Sequence, residues 1–101
     1  MEFKYQGYNC KAEFFIYANG NKGIKLIDTD DCSPVTVATT NTDLILEEDC
    51  VAIKDYSENE GIVYPLMHYD VLSEFVGFII SEFVKIPVFR LSEKALGCYN
   101  N

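Results

Sequence analysis

A turn sequence between two alternating segments constrains the fold of this chain more than any other feature. In residues 11–19 every second residue from Ala12 to Ala18 is apolar, which is the period of a β-strand. Asn19-Gly20-Asn21 follows, and these residue types tolerate the positive φ of a tight turn. Alternation resumes from Ile24 to Asp28. Residues 11–28 therefore predict a β-hairpin.

Several later segments also have the composition of strands. Residues 35–40 are β-branched at five of six positions and predict a third strand, and residues 51–54 predict a short fourth strand. Residues 75–80 and 83–91 predict two more, joined by a turn at Ser81 and Glu82 or continuous as one bent strand. Pro87 lacks a backbone donor, so its strand is predicted at an edge or a bulge.

One short helix is predicted between about residues 57 and 69. Ser57 and Glu60 have the spacing of a capping box, in which each side chain satisfies the backbone amide of the other. Ile62 and Leu66 would share one helix face. Gly61 weakens this helix, and Pro65 is expected to end or kink it because its ring clashes with a preceding carbonyl.

Together these elements predict one α+β domain over residues 1–101, with a mostly antiparallel sheet of five to seven strands and one short helix after the fourth strand. The apolar fraction of 49 % favours a packed core over disorder. No apolar run approaches the ~18 residues of a membrane span. The first residues lack the apolar core of a secretory signal, so we expect a cytoplasmic protein in the cell that produces it.

The acidic residues are concentrated in the middle third. Positions 28–60 contain ten acids and one base, Lys54, so this third carries −9 against a net charge of −8. Acidic loops can simply keep a small protein soluble. Alternatively, they steer the protein to a basic surface, such as the nucleic-acid groove of an enzyme. Direct nucleic-acid binding is disfavoured, because the eight Lys and Arg residues are not clustered.

The sequence offers little catalytic or metal chemistry. Cys50, His68 and Asp70 have the residue types of a cysteine hydrolase but no local signature of one. The cysteines contain no CxxC pair, and residues 28–31 lack the glycine and glutamate of a calcium loop. We therefore expect free thiols, no metal, no cofactor and no enzymatic activity.

The run Ile53-Lys54-Asp55-Tyr56-Ser57-Glu58-Asn59-Glu60-Gly61 resembles a small family of unknown function from phages, plasmids and integrated elements of gut anaerobes. The closing segment, residues 83–91, is a second and weaker match, and the resemblance covers about residues 11–91. Two positions depart from the family pattern: Pro65 interrupts a helix that usually runs on, and Glu82 stands where a glycine is common. The resemblance implies a role in conflict between mobile elements and their hosts.

Acidity and resemblance together predict a protein that inhibits a host defence system by binding a protein target, with a Cas effector as the first candidate. It would occlude a nucleic-acid groove as a monomer or homodimer, without binding a membrane. The alternative is a non-catalytic accessory module that binds a small ligand or another mobile-element protein. The residues predicted to contact the partner are Asp30, Asp31, Glu47, Glu48, Asp49, Lys54, Glu58 and Asn59.

Overall fold

The computed structural model describes residues 1–100, and this part of the chain forms seven strands and two short α-helices. The strands are β1 (Glu2–Tyr5), β2 (Tyr8–Ile16), β3 (Lys22–Asp28), β4 (Pro34–Val37), β5 (Cys50–Ala52), β6 (Leu72–Ile80) and β7 (Lys85–Leu91). The helices are α1 (Val63–His68) and α2 (Glu93–Gly97), and single 3-10 turns occur at Ser57–Asn59 and Cys98–Asn100.

The strands form two antiparallel sheets. The first sheet has the order β1-β2-β3-β4 and the second the order β5-β7-β6. The α+β class with mostly antiparallel pairing is confirmed, and the seven strands are at the upper end of the predicted number, but they divide between two sheets instead of forming one. The first helix follows the fifth strand instead of the fourth, because β1 was not predicted, and α2 is an additional helix.

The predicted hairpin of residues 11–28 corresponds to β2 and β3. Cys10 pairs with Asp28 at one end of this hairpin, and Ile16 pairs with Lys22 at the other. Tyr17 and Asn21 close the turn through the Asn21 carbonyl, which accepts from the Tyr17 amide at 2.8 Å. Local alternation and a local turn signal were sufficient to predict this pair.

The two sheets are joined where β4 and β5 run on beyond their regular pairing. Thr39 and Ile53 form an antiparallel bridge. The Thr40 amide donates to the Ala52 carbonyl at 3.0 Å, and the Lys54 amide donates to the Ala38 carbonyl at 2.8 Å. The position of β5, and with it residues 53–61, is therefore fixed by the end of β4.

Both sheets contribute to one main hydrophobic core. Its fully buried members include Ile24 and Leu26 from β3, Val51 from β5, and Ile62 and Leu66 around α1. A smaller cluster, Cys50, Ala52, Ile86 and Val88, lies on the opposite face of the second sheet under Leu46 and Tyr56. Residues 41–49 thus cover that face of the sheet, as an ordinary loop over a small second core.

Residues 72–91 form a hairpin, not one bent strand. The Ser81 amide donates to the Val84 carbonyl at 3.0 Å across the turn between β6 and β7. β7 is the central strand of its sheet, so the edge alternative predicted for Pro87 is wrong. The bulge alternative is closer, because the register of β6 shifts between Phe75 and Gly77, opposite Phe89 and Val88 and next to Pro87. The Ile53 amide donates to the Pro87 carbonyl, but Pro87 has no N–H to donate to the Ile53 carbonyl. That carbonyl instead accepts from the Asp55 amide at 3.0 Å. This substitute bond lets a proline stand in a central strand.

The predicted capping box does not form. Ser57 adopts a left-handed φ of 53° and its side chain caps nothing, and the helix divides into the 3-10 turn and α1. Pro65 lies in the first turn of α1, where an amide has no acceptor within the helix, so it neither ends nor kinks the helix. Within residues 1–100, no helix is long and apolar enough to cross a membrane.

Candidate functional site

Most acids of the middle third have no cationic partner in the described chain. Among the ten acids of residues 28–60, only Glu47, Asp49 and Glu58 form salt bridges there. The other seven are Asp28, Asp30, Asp31, Asp43, Glu48, Asp55 and Glu60. The structure therefore compensates only a small part of this charge internally.

Asp30 and Asp31 occupy the exposed turn between β3 and β4. The Asp30 amide donates to Oδ1 of Asp28 at 2.7 Å, so Asp28 organises the turn and leaves the Asp30 carboxylate free. Oδ1 of Asp31 accepts from the hydroxyl and the amide of Ser33, at 2.6 and 2.9 Å. These bonds from Ser33 lower the pKa of the Asp31 carboxyl. The side chains of Asp30 and Asp31 are both exposed.

Lys54 and Glu58 pair with each other across the start of the 3-10 turn. Their side chains form a salt bridge and remain partly exposed. This contact lowers the pKa of Glu58 and raises that of Lys54. Lys54 thus partly offsets the charge of Glu58, and the pair offers a partner less net charge than the sequence suggested.

The Glu58 backbone is held against the turn between β1 and β2. Its carbonyl accepts from Nε2 of Gln6 at 3.0 Å, and the hydroxyl of Tyr5 lies 3.5 Å away. Burial raises the pKa of Tyr5, and the carboxylates of Asp55 and Glu58 raise it further. The segment 57–60 therefore contributes to a negatively charged surface beside this turn.

Asn59 is a structural residue, contrary to its prediction as a partner contact. Its side chain is fully buried. Nδ2 donates to the Val37 carbonyl at 2.8 Å, and Oδ1 accepts from Thr36 Oγ1 at 2.7 Å. Asn59 thus ties the 3-10 turn to β4, and it has no surface left for a partner.

Glu47 and Asp49 converge on Arg90 in β7. Nη1 of Arg90 lies 3.2 Å from Glu47 Oε2 and 2.9 Å from both carboxylate oxygens of Asp49, and Nε lies 3.0 Å from Glu74 Oε1. Desolvation alone would raise the pKa of the Asp49 carboxyl, but hydrogen bonds from Arg90 and Cys50 hold it below its usual value. Glu48, between them, is exposed and unpaired in the described chain.

The same cluster is the one place among residues 1–100 where metal-ligand side chains gather. Glu47, Asp49 and Cys50 offer ligand atoms within 4.8 Å of one another. Arg90 Nη1 lies within 3.8 Å of all three side chains, so a guanidinium already occupies the position that a metal ion would take. We therefore interpret this cluster as a structural ion-pair network.

The cysteine-hydrolase residues are not brought together. Cys50 is buried and contacts Asp49 and Arg90. His68 instead stacks on Tyr64, with ring centroids 5.9 Å apart, and meets Tyr69 edge to face at 4.8 Å. Burial, followed by the hydrogen bond to Asp49, raises the pKa of the Cys50 thiol to about 11. At neutral pH this thiol is protonated, and it has no histidine base beside it.

The predicted acids divide between opposite ends of β3. Asp30 and Asp31 follow its last residue, and Thr29 donates to the Asn9 carbonyl at 2.9 Å, next to the turn between β1 and β2. The loop that leads to Glu47 is held at the other end by Asn21, which bonds to Leu44 and Leu46. A seven-residue strand spans roughly 20 Å. Asp30, Asp31 and Glu58 therefore share one end, here called the acidic end, and Glu47 to Asp49 do not belong to it.

Two features of the surface were missed by sequence reasoning. Arg90 is the hub of the ion-pair network, and its only sequence signal is that it is the sole arginine. The other is an exposed apolar face on β6, where Phe75, Phe78 and Ile80 are each at least half exposed. Hydrophobicity identified β6 as a strand but gave no indication that its apolar face would be exposed.

An open cleft of about 460 Å³ lies between residues 40–44 and the turn from β6 to β7. Tyr56, Ile79, Val84 and Ile86 line its apolar part, and Thr40 to Asp43 line its polar rim.

Comparison with family models, with curated proteins and with solved structures gave no match.

Proposed function

We propose that this chain is a non-catalytic inhibitor that a phage or other mobile element encodes. It would bind and inhibit a defence protein in the cytoplasm of the host bacterium. A Cas effector is the first target to test. The single observation that carries the proposal is the surface charge of the middle third, seven of whose ten acids have no cationic partner in the described chain. The family resemblance of residues 53–61 supplies the mobile-element setting.

The contact surface of this inhibitor is the acidic end. Asp30 and Asp31 are exposed, and the backbone carbonyl of Glu58 accepts from Gln6 in the turn between β1 and β2. Negative groups at one end of a chain with a net charge of −8 attract a basic groove over distances of about a Debye length, ~10 Å at moderate salt. Docking would then exclude the nucleic acid that the groove normally binds.

A binding role fits the chemistry better than catalysis does. The buried Cys50 has a pKa of about 11, so it is a poor nucleophile at neutral pH. Arg90 neutralises part of the charge of Glu47 and Asp49, so these acids serve the fold more than a partner. Glu48 remains available as a contact outside the acidic end.

The test is a capture assay with purified Cas effectors at low and at high ionic strength. We expect capture at low salt and release at high salt, because screening weakens charge-driven docking. The double variant Asp30→Asn, Asp31→Asn, which changes the net charge by +2, should lose capture. Glu82→Lys is the matched control, since it introduces a charge reversal on an exposed turn outside the middle third. No capture of any effector at either salt would overturn the choice of target, and equal capture by both variants would overturn the acidic end.

A second candidate function rests on the cleft beside residues 40–44. Its volume of about 460 Å³ falls in the range of small-molecule sites, and its floor is apolar. A small neutral ligand bound there would raise the unfolding temperature independently of salt. A ligand screen by thermal shift at two ionic strengths separates this function from the first, and Ile86→Trp, which fills the floor, should abolish any such shift.

A further inference from the structure

The outer edge of β6 is the longest open strand edge in the described chain. β6 has nine residues and is hydrogen-bonded only to β7. β1, the outer strand of the other sheet, has four residues, of which Glu2 and Lys4 are exposed and charged. Short, charged edges are the usual protection against strand pairing, and a long apolar edge invites it.

The side chains of β6 form an apolar surface next to this edge. Phe75, Phe78 and Ile80 pair with Phe89, Pro87 and Lys85 of β7, and paired residues share one face of an antiparallel sheet. The side chains of Phe75, Phe78 and Ile80 are 50, 53 and 69 % exposed. Val76, at a bulge within β6, is 47 % exposed, and Phe83 at the following turn is 91 % exposed.

This surface is as large as the largest apolar patches of typical monomers, which are often functional. The exposed parts of Phe75, Phe78 and Phe83 alone amount to roughly 400 Å². With Val76, Ile80 and the edge backbone, the surface approaches the ~800 Å² per partner of a standard protein interface. Single exposed apolar residues need no explanation, but a contiguous patch of this size indicates an interaction site.

Charge identifies the occupant. Each chain carries −8, so two copies repel each other wherever their acids meet. Residues 71–81 contain one charged residue, Glu74, and Arg90 Nε pairs with it at 3.0 Å. The edge of β6 is therefore a place where two copies meet with less repulsion than at their acidic loops, with the Lys85 ammonium 5.3 Å from the centre of the Phe78 ring and Glu74 sharing Arg90 with Glu47 and Asp49.

We propose that β6 pairs with β6 of a second copy, antiparallel about a two-fold axis, to give a continuous six-stranded sheet. The geometry of β6 suits self-pairing, because the two phenylalanines share a face on either side of the bulge. In one register, Phe75 of the first copy lies opposite Phe78 of the second. The two-fold axis then also places Phe78 of the first copy opposite Phe75 of the second, on the same face of the sheet. Phe75 and Phe78 already contact each other edge-on within one chain, with ring centroids 5.0 Å apart. Pairing would extend this contact into a row of four rings.

The test measures molar mass by light scattering from the low micromolar to the submillimolar range, together with hydrogen exchange. We expect a monomer–dimer equilibrium, and exchange of the β6 amides that slows as the protein concentration rises. Phe78→Lys places a charge at the interface twice per dimer and should weaken dimerisation by about tenfold or more. Ile80→Lys, at the end of the same face, provides a second variant should the first fail to fold.

Ile16→Lys is the matched control, because Ile16 is 52 % exposed at the end of β2 in the first sheet. It introduces the same charge on a strand residue of equal exposure and should leave dimerisation unchanged. A wild-type protein that stays monomeric over the whole concentration range overturns the proposal. A dimer that survives both β6 variants, or whose β6 amides exchange at a rate independent of concentration, also overturns it.

Discussion

The edge strands β1 and β6, one from each sheet, differ in how far their apolar side chains are buried. In the first sheet, the four-residue β1 turns Phe3 and Tyr5 into the core and exposes charged Glu2 and Lys4. In the second sheet, β6 is richer in apolar residues, yet of its nine residues only Leu72 is fully buried. The difference teaches that burial depends on what covers a strand. α1 packs near the start of β6, and residues 75–80 extend past it.

Truncation of a core residue in the first sheet should have the largest effect. Leu26 is fully buried in β3, and Leu26→Ala is expected to lower the free energy of unfolding by about 2–5 kcal/mol. Ile80→Ala at the exposed end of β6 should cost under about 1 kcal/mol. Urea unfolding at dilute protein concentration measures both. Equal losses would contradict the contrast between the two sheets.

Asn59→Ala should have the next largest effect, because Asn59 joins the 3-10 turn to β4 of the first sheet. The change removes both side-chain hydrogen bonds and leaves the Val37 carbonyl without its donor, for a loss of about 2–3 kcal/mol. Glu60→Ala, at the exposed neighbouring position, is the control and should change stability little. If Asn59→Ala folded as stably as the control, Asn59 would again be a candidate contact residue.

Arg90→Gln should weaken the outer face of the second sheet in a pH-dependent way. Because the folded pKa of Asp49 lies below its usual 3.8, Asp49 stabilises the fold above that value, and this contribution is lost as pH falls through the folded pKa. The variant should therefore be less stable than the wild type near neutral pH, and the difference should vanish in strong acid. Thermal unfolding across this pH range measures it. A difference that persists in acid would indicate lost packing of the arginine instead.

Lys54→Gln should have the smallest effect on stability. The Lys54–Glu58 pair is largely solvated, and such pairs contribute little because water and salt screen them. The variant increases the net negative charge beside the acidic end by one, so it should strengthen capture of a basic target at low salt. Thermal unfolding and the capture assay are the two measurements. A large loss of stability would show that this pair does more for the fold than a surface pair does.

Sequence reasoning recovered the elements whose signals are local. The alternation around Asn19-Gly20-Asn21 located β2 and β3, and β-branched residues located β4. The same alternation was present at Phe3 and Tyr5 of β1, but four residues are a weak signal. Ser92 caps α2 by accepting from the Ala95 amide at 3.0 Å, and this serine directly before an acid and further helix-forming residues could have indicated the helix.

The candidate site was predictable in residue type but not in arrangement. Asp30, Asp31 and Glu58 could be selected as acids, and Asp30 and Asp31 proved exposed without a cationic partner in the described chain. That Asn59 is buried and that Arg90 gathers Glu47, Asp49 and Glu74 depend on contacts between residues far apart in sequence. The capping box failed for a local reason: the Glu60 amide donates to the backbone carbonyl of Ser57 at 3.2 Å instead of to its side chain, and Gly61 holds a φ of +90° outside the helix.

The sequence by itself determined the strand-rich α+β class, the hairpin of β2 and β3, and the concentration of negative charge between residues 28 and 60, because these follow from residue type and spacing within a few positions. Only the tertiary structure decided which acids keep their charge uncompensated, where Pro87 could stand, and that the apolar β6 lies at an open edge. Those outcomes depend on strand order and on which surfaces meet. Short-range patterns do not encode either, since a strand's own residues do not specify its neighbour.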